Sequence, residues 1–135
     1  MATKLDSIYY SAEDASLKET DAIPAAAATG YTTAIEIDKG VRHWEHYFSI
    51  PATPDLVEAK TIICTLQLGD GSSYADTDTT LTVTGAAQAA GGAADSWQVA
   101  LTDTEDTYCR VKMVVLTGAG DNTGVDVTTA LRFAG

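Results

Sequence analysis

The sequence predicts an all-β protein: an antiparallel β-sandwich, jelly-roll-like, with an extended N-terminal arm. From Gly30 onward apolar and polar residues alternate with period two in nearly every apolar stretch, as strands do when one face is buried. Turn residues fill the gaps, as in "DKG" (residues 38–40), "GDGSS" (69–73) and "GAGDNTG" (118–124). No amphipathic helical pattern of about 10 to 15 residues separates the strands, which argues against a parallel α/β fold.

Residues 1–28 read as an arm and linker and residues 29–135 as the sandwich domain. Within the arm, "SAEDASLKETD" (11–21) suits a short helix and "IPAAAATG", from Ile23, a linker. Either the arm frays, or its apolar groups dock on a neighbouring subunit. On the second reading Ile8, Tyr9, Tyr10 and Leu17 are the partner-binding candidates.

The strands follow in order. "YTTAIEID" sets Tyr31, Thr33, Ile35 and Ile37 on one face against Thr32, Ala34, Glu36 and Asp38. "HWEHYFSI" sets Trp44, His46, Phe48 and Ile50 against His43, Glu45, Tyr47 and Ser49, and Pro51 and Pro54 end it because proline cannot donate to a ladder. "TIICTLQL" buries Ile62, Cys64, Leu66 and Leu68; "TLTVT" alternates Leu81 and Val83; "SWQVAL" alternates Trp97, Val99 and Leu101. The small-residue stretch 85–95, "GAAQAAGGAAD", cannot fill a core, so it is flexible or lies against something else, and it is a second contact candidate. "TYCRVKMVVL" sets Cys109, Val111, Met113 and Val115 against Tyr108, Arg110, Lys112, Val114 and Leu116. A hairpin loop is expected at 118–124 before "VDVTTALRF", with Val125, Val127, Leu131 and Phe133 opposed to Asp126, Thr128, Ala130 and Arg132. These make about seven strands, in the number and spacing of a sandwich.

Length and charge narrow the function classes. A chain of 135 residues is of single-domain size and can bury a core unaided. Nineteen acidic against eight basic side chains give a net charge of -11, which repels polyanions, so no direct nucleic-acid partner is expected. The start "MATKLDSIYY" lacks the basic and apolar regions of a signal peptide, and no window reaches the ~20 apolar residues of a membrane span. The expectation is a soluble protein with no membrane partner.

His43 and His46 are the only histidines. On a helix, three residues apart, they would share a face; on a strand they point oppositely and cannot converge on one ion. The strand pattern therefore gives a surface His43 and a His46 at the rim of an aromatic patch with Trp44 and Phe48. Cys64 and Cys109 both fall on core-facing positions. An immunoglobulin-type disulfide is disfavoured because Trp97 comes too late after Cys64 and Tyr108 precedes Cys109 by one residue where the tyrosine corner needs two. Buried, reduced thiols are expected. The acidic groups Asp70, Asp76 and Asp78, and Asp103, Glu105 and Asp106, could contribute oxygen ligands to calcium, but neither run has the EF-hand order, and solvated turns are the default. No nucleophile elbow, zinc-protease helix or phosphate loop occurs. No catalytic residues, cofactor or metal is assigned, and an enzyme is disfavoured.

The C-terminal half, "DTYCRVKMVVLTGAGDNTGVDVTTALRF", resembles the small cement or decoration proteins of tailed-bacteriophage capsids, particularly the jelly-roll kind of short-tailed phages. The features that carry the likeness are a Tyr-x-Arg strand with alternating apolar residues, a Gly-rich loop and a closing V-x-V-x-x-x-L strand. Upstream, "TGYTTAIEID" and "TLQLGDGSSYADT" follow in similar order, so the likeness spans most of Gly30 to Phe133; the long arm before Ile23 departs from it. The resemblance implies a noncatalytic virion protein, made in the host cytoplasm, that binds the outer surface of the major capsid protein shell as a homo-oligomer, a dimer ahead of a trimer. The alternatives are a carbohydrate-binding β-sandwich, calcium-assisted, stacking Trp44, Trp97 or Tyr74 on sugar rings, and a hydrolase built from scattered carboxylates.

Overall fold

The computed structural model describes residues 17–37, 44–101 and 105–133. Its strands are β1 (Lys18–Ala22), β2 (Thr29–Tyr31), β3 (Ile35–Glu36), β4 (Trp44–Ile50), β5 (Thr61–Gly69), β6 (Tyr74–Thr84), β7 (Asp95–Leu101), β8 (Tyr108–Val115) and β9 (Asp126–Phe133). They form two antiparallel sheets, ordered β1-β9-β4-β7 and β2-β8-β5-β6, with β3 following β2 along the same edge of β8. Counting β2 and β3 as one interrupted strand gives eight strands among the described residues, in two packed sheets, the jelly-roll-like arrangement expected from the sequence.

Alternation builds the core. β4 points Trp44, His46, Phe48 and Ile50 inward, and β8 does the same with Cys109, Val111, Met113 and Val115. One cluster gathers around Phe48, Ile50, Ile62, Val111 and Met113; the other gathers around Ile35, Trp44, Leu66 and Leu131. Trp97 packs against both, and its ring centroid lies 4.7 Å from that of Phe48 in the adjacent strand. Burying a side chain such as Phe48, fully enclosed, contributes about 1.5–3 kcal/mol.

The structure departs from the sequence reading in four places. Lys18–Ala22 is a strand paired with β9 from Lys18↔Ala130 to Ala22↔Asp126, and Ile23 is buried in the core. The sandwich thus takes in chain assigned to the arm, and the expected helix gives way to strand from residue 18. The reason is tertiary: "KETDA" has no apolar alternation of its own, and β9 supplies its ladder.

"YTTAIEID" is not one uniform strand. Tyr31 pairs with Lys112 and Ile35 with Cys109, so four steps on one strand match three on the other. That extra residue is a β-bulge, and it reverses which face the side chains before it occupy. Ile35 and Ile37 are buried while Tyr31 and Thr33 are exposed. Thr32 holds the bulge: its N–H donates to the Val111 carbonyl at 2.9 Å and its hydroxyl accepts from the Val111 N–H at 2.8 Å. Asp21 secures the next residue from the other sheet, accepting from the Thr33 N–H and hydroxyl at 2.9 and 2.8 Å.

The loop before β9 is no hairpin, because β8 and β9 lie in different sheets. It arches across the sandwich with Ala119 and Asn122 buried beneath it. Of the two outcomes expected for the stretch 85–95, it is the one in which the segment lies against something else: backbone bonds strap it to residues 53–60, among them Thr53 with Gly92 in both directions at 2.9 Å. A side chain at Gly85 would strike the Val57 carbonyl oxygen, so the backbone approach there requires glycine. Lastly, His46 sits in the core and not at a rim.

Candidate functional site

The outer face of the five-stranded sheet carries an organised group of side chains. On β8 the residues between the buried ones, Tyr108, Arg110, Lys112 and Val114, are half-exposed. Arg110 stands opposite Gln67 of β5, and its Nε–H donates to Gln67 Oε1 at 2.8 Å. The bulge between β2 and β3 turns Tyr31 to this same face, where its ring centroid lies 3.9 Å from the Arg110 guanidinium carbon. Tyr74, at the start of β6, adds a second ring at 3.8 Å. Tyr74 fits there because its partner in the ladder is Gly69, where a Cβ would lie 2.7 Å from the Tyr74 ring.

A second irregularity places the supporting carboxylate. β5 and β6 are in register at Thr65↔Thr80 and again at Gln67↔Asp76, so three residues of β6 bulge opposite Leu66. The Thr77 hydroxyl meets the Leu66 carbonyl there at 2.9 Å. Asp76 then accepts from Gln67 Nε2 at 2.8 Å and from Lys112 Nζ at 2.8 Å. Lys112, donating to Asp76, and then Gln67 hold the Asp76 carboxyl below its ordinary range. Water screens an exposed ion pair of this kind, so it adds little to stability, and each exposed cation–π contact contributes about 0.5–1 kcal/mol. Their principal effect is to hold one arginine in one orientation: two tyrosine rings against the guanidinium, Nε engaged, and the Nη edge making no hydrogen bond within the described residues. Tyr31 is 47% exposed; farther along the same face, four residues from Gln67 on β5, Ile63 is 39% exposed, with Val114 facing it across the ladder.

The histidine and cysteine candidates serve the interior. His46 Nδ1 accepts from Trp97 Nε1–H at 2.9 Å, and burial lowers its pKa from 6.5 to about 4. His43 lies outside the described residues. Cys64 and Cys109 are buried free thiols. Burial raises each pKa to about 12, with the Asp95 charge adding to the shift at Cys64. They share one sheet, and Cys109 is paired with Leu68, four residues along β5 from Cys64. That offset is roughly 13 Å, beyond the reach of a disulfide.

Among the described residues no group of three or more His, Cys, Asp or Glu side chains could hold a metal ion. Asp70 instead accepts from the Ser72 and Ser73 N–H groups at 2.8 Å each, closing the 69–73 turn. Asp103 and the turn at 38–40 fall outside the described residues. On the outer face of the other sheet, Lys18, Tyr47, Ser49, Thr128, Ala130 and Arg132 line a depression of about 190 Å³, smaller than the ~300 Å³ at which small-molecule pockets begin. No helix among the described residues is long and apolar enough to cross a membrane.

Of the partner-binding candidates, Leu17 packs against the second core cluster of its own chain, and Ile8, Tyr9 and Tyr10 lie outside the described residues. Trp44 and Trp97, proposed for sugar stacking, face the interior; only Tyr74 stands on an outer face. The arginine clamp was half visible in the sequence, since alternation sets Arg110 outward. Tyr31, read as inward, was hidden by the bulge.

No protein-family profile and no curated protein matches the chain. Solved structures do match in fold. One is the VP2 protein of infectious bursal disease virus in its subviral particle, with a TM-score of 0.51 and 10% identity over 89% of this chain. The chain spans 31% of VP2. Another is a carbohydrate-binding module specific for non-crystalline cellulose, with a TM-score of 0.46 and 13% identity, covering 87% of this chain and 73% of that one. A third is the enzymatically active domain of tailspike protein 4 of bacteriophage CBA120, with a TM-score of 0.45 and 9% identity, covering 83% of this chain and 15% of that one. At such identities the likeness is one of fold, a β-sandwich shared with a viral particle protein.

Proposed function

We propose that this protein is a noncatalytic capsid cement protein of a tailed phage, which binds the outer surface of the major capsid protein shell as a homo-oligomer and stabilises it. The observation that carries this reading is the outer face of the five-stranded sheet. There a fixed arginine, two tyrosines and an exposed isoleucine share one open sheet face. Tyr and Arg are the side chains that anchor protein interfaces. The net charge of -11 suits a surface turned away from packaged nucleic acid. Many copies on a closed shell add their individually modest contacts through avidity. The protein would be made in the host cytoplasm and would reside on the virion.

Mass spectrometry and cryo-electron microscopy of virions whose genome encodes this chain test the reading. Regular occupancy over the shell's exterior is the expected result, and absence from the particle refutes it. A second reading, carbohydrate binding, draws on the outward rings of Tyr31 and Tyr74 beside Gln67 and Asp76. Both rings already spend one face on Arg110, which favours the protein partner. A glycan array run with and without chelator separates the two, since saturable sugar binding would promote the second.

A further inference from the structure

We propose that Arg110 is the anchor by which this face grips its partner, and that the group it takes is a single Asp or Glu carboxylate on the shell protein. The inference rests on the cement reading and names the chemistry of its contact. Arg110 is held at three points: the Tyr31 and Tyr74 ring centroids lie 3.9 and 3.8 Å from its guanidinium carbon, and Gln67 takes Nε at 2.8 Å. Gln67 is itself only 6% exposed and is fixed from behind by Asp76.

What remains is the Nη edge, two parallel N–H donors whose spacing matches the two oxygens of a carboxylate. The rotamer entropy an arginine ordinarily loses on binding has already been lost in the free protein, so the contact forms at smaller cost. Lys112, the other cation on this face, is paired with Asp76 at 2.8 Å, which leaves Arg110 as the donor presented outward.

Charge selects among anions. A chain of net charge -11, with Asp76 beside the clamp, repels a polyanion such as nucleic acid or an anionic membrane. A lone carboxylate set in a protein surface brings one charge to one guanidinium. Farther along the same face, four residues from Gln67 and Arg110, the exposed Ile63 and half-exposed Val114 offer apolar surface that a protein partner would cover and that a free anion would not.

The test is co-sedimentation of the full chain with assembled shells of the major capsid protein, using wild type, Arg110→Lys and Arg110→Gln, with thermal unfolding and light scattering of each variant. Lysine keeps the charge but loses the fork and the stacking. The expected result is that both variants bind about tenfold or more weakly, with oligomeric state unchanged and the unfolding temperature lowered only by the several degrees that loss of the two ring contacts and the Gln67 bond entails, so that both remain folded in the binding assay. If Arg110→Lys binds as wild type does, the forked contact is wrong and only net charge matters. If both variants bind normally, the anchor is elsewhere although the cement function stands. If either variant dissociates the homo-oligomer, the carboxylate belongs to a second copy and the shell contact is overturned. Failure of wild type to bind removes the cement reading and this anchor together.

Discussion

Acid should weaken this fold through His46. The neutral ring accepts at Nδ1 from Trp97 Nε1–H at 2.9 Å, so its own hydrogen sits on Nε2. Protonation would charge a fully buried ring and would also convert Nδ1 from acceptor to donor, facing another donor. The drop from 6.5 to about 4, at about 1.36 kcal/mol per unit, corresponds to a cost on the order of 3 kcal/mol. That is a large part of the ~5–15 kcal/mol that holds a domain folded. Between pH 6.5 and about 4 the unfolded chain binds a proton that the folded one refuses. Stability is therefore fully present above that window, falls as pH falls through it, and levels off below. Asp70, Asp76 and Asp121, held below 3.8 by their hydrogen bonds, act in the same direction at lower pH. Urea unfolding in steps from pH 7 to pH 4, on wild type and His46→Asn, isolates the histidine, because the asparagine oxygen can still accept from Trp97. Wild type should lose on the order of 3 kcal/mol more than the variant over that range. Parallel profiles for the two proteins, or a His46 ring titrating near its ordinary value by NMR, would refute the account.

Gly85→Ala drives a methyl into the Val57 carbonyl and should destabilise by about 1–3 kcal/mol in chemical denaturation. Phe48→Ala empties a fully enclosed site and should cost about 3–5 kcal/mol by the same measurement. Cys64 and Cys109, with thiols pushed up to about 12, should resist a thiol reagent in the native state, react only on unfolding, and form no mutual disulfide under mild oxidation. Deletion through Ala22 removes β1 and bares the backbone of β9; light scattering should then show association beyond that of the full chain.

The sandwich was legible where burial of one face writes itself into the chain. β4 and β8 alternate without interruption, and Cys109, Val111, Met113 and Val115 were identified as inward by that period alone. Legibility ended where backbone geometry, and not composition, decides orientation. One extra residue between Tyr31 and Ile35 reverses Tyr31, and nothing in "YTTAIEID" marks it except a threonine whose hydroxyl can stand in for a carbonyl. β1 was invisible because an edge strand half open to solvent needs no apolar stripe. The arch before β9 resembled a hairpin because glycines serve both, and only sheet membership separates them. Gln67, polar yet buried on the outer face, could not be read as such until Arg110 and the tyrosines covered it.

The strand order sets a condition on how the molecule is made. β8 and β9, late in the sequence, occupy interior positions of the two sheets: β9 between β1 and β4, and β8 between β5 and the β2/β3 edge. While a nascent chain still lacks them, each sheet is split down its middle, and only the β5/β6 hairpin joins consecutive neighbours. Pairings so distant along the chain form slowly. A chain that stops short of residue 126 would leave β1 without its ladder and β4 with one edge bare, so the four-stranded sheet closes only when β9 has been made.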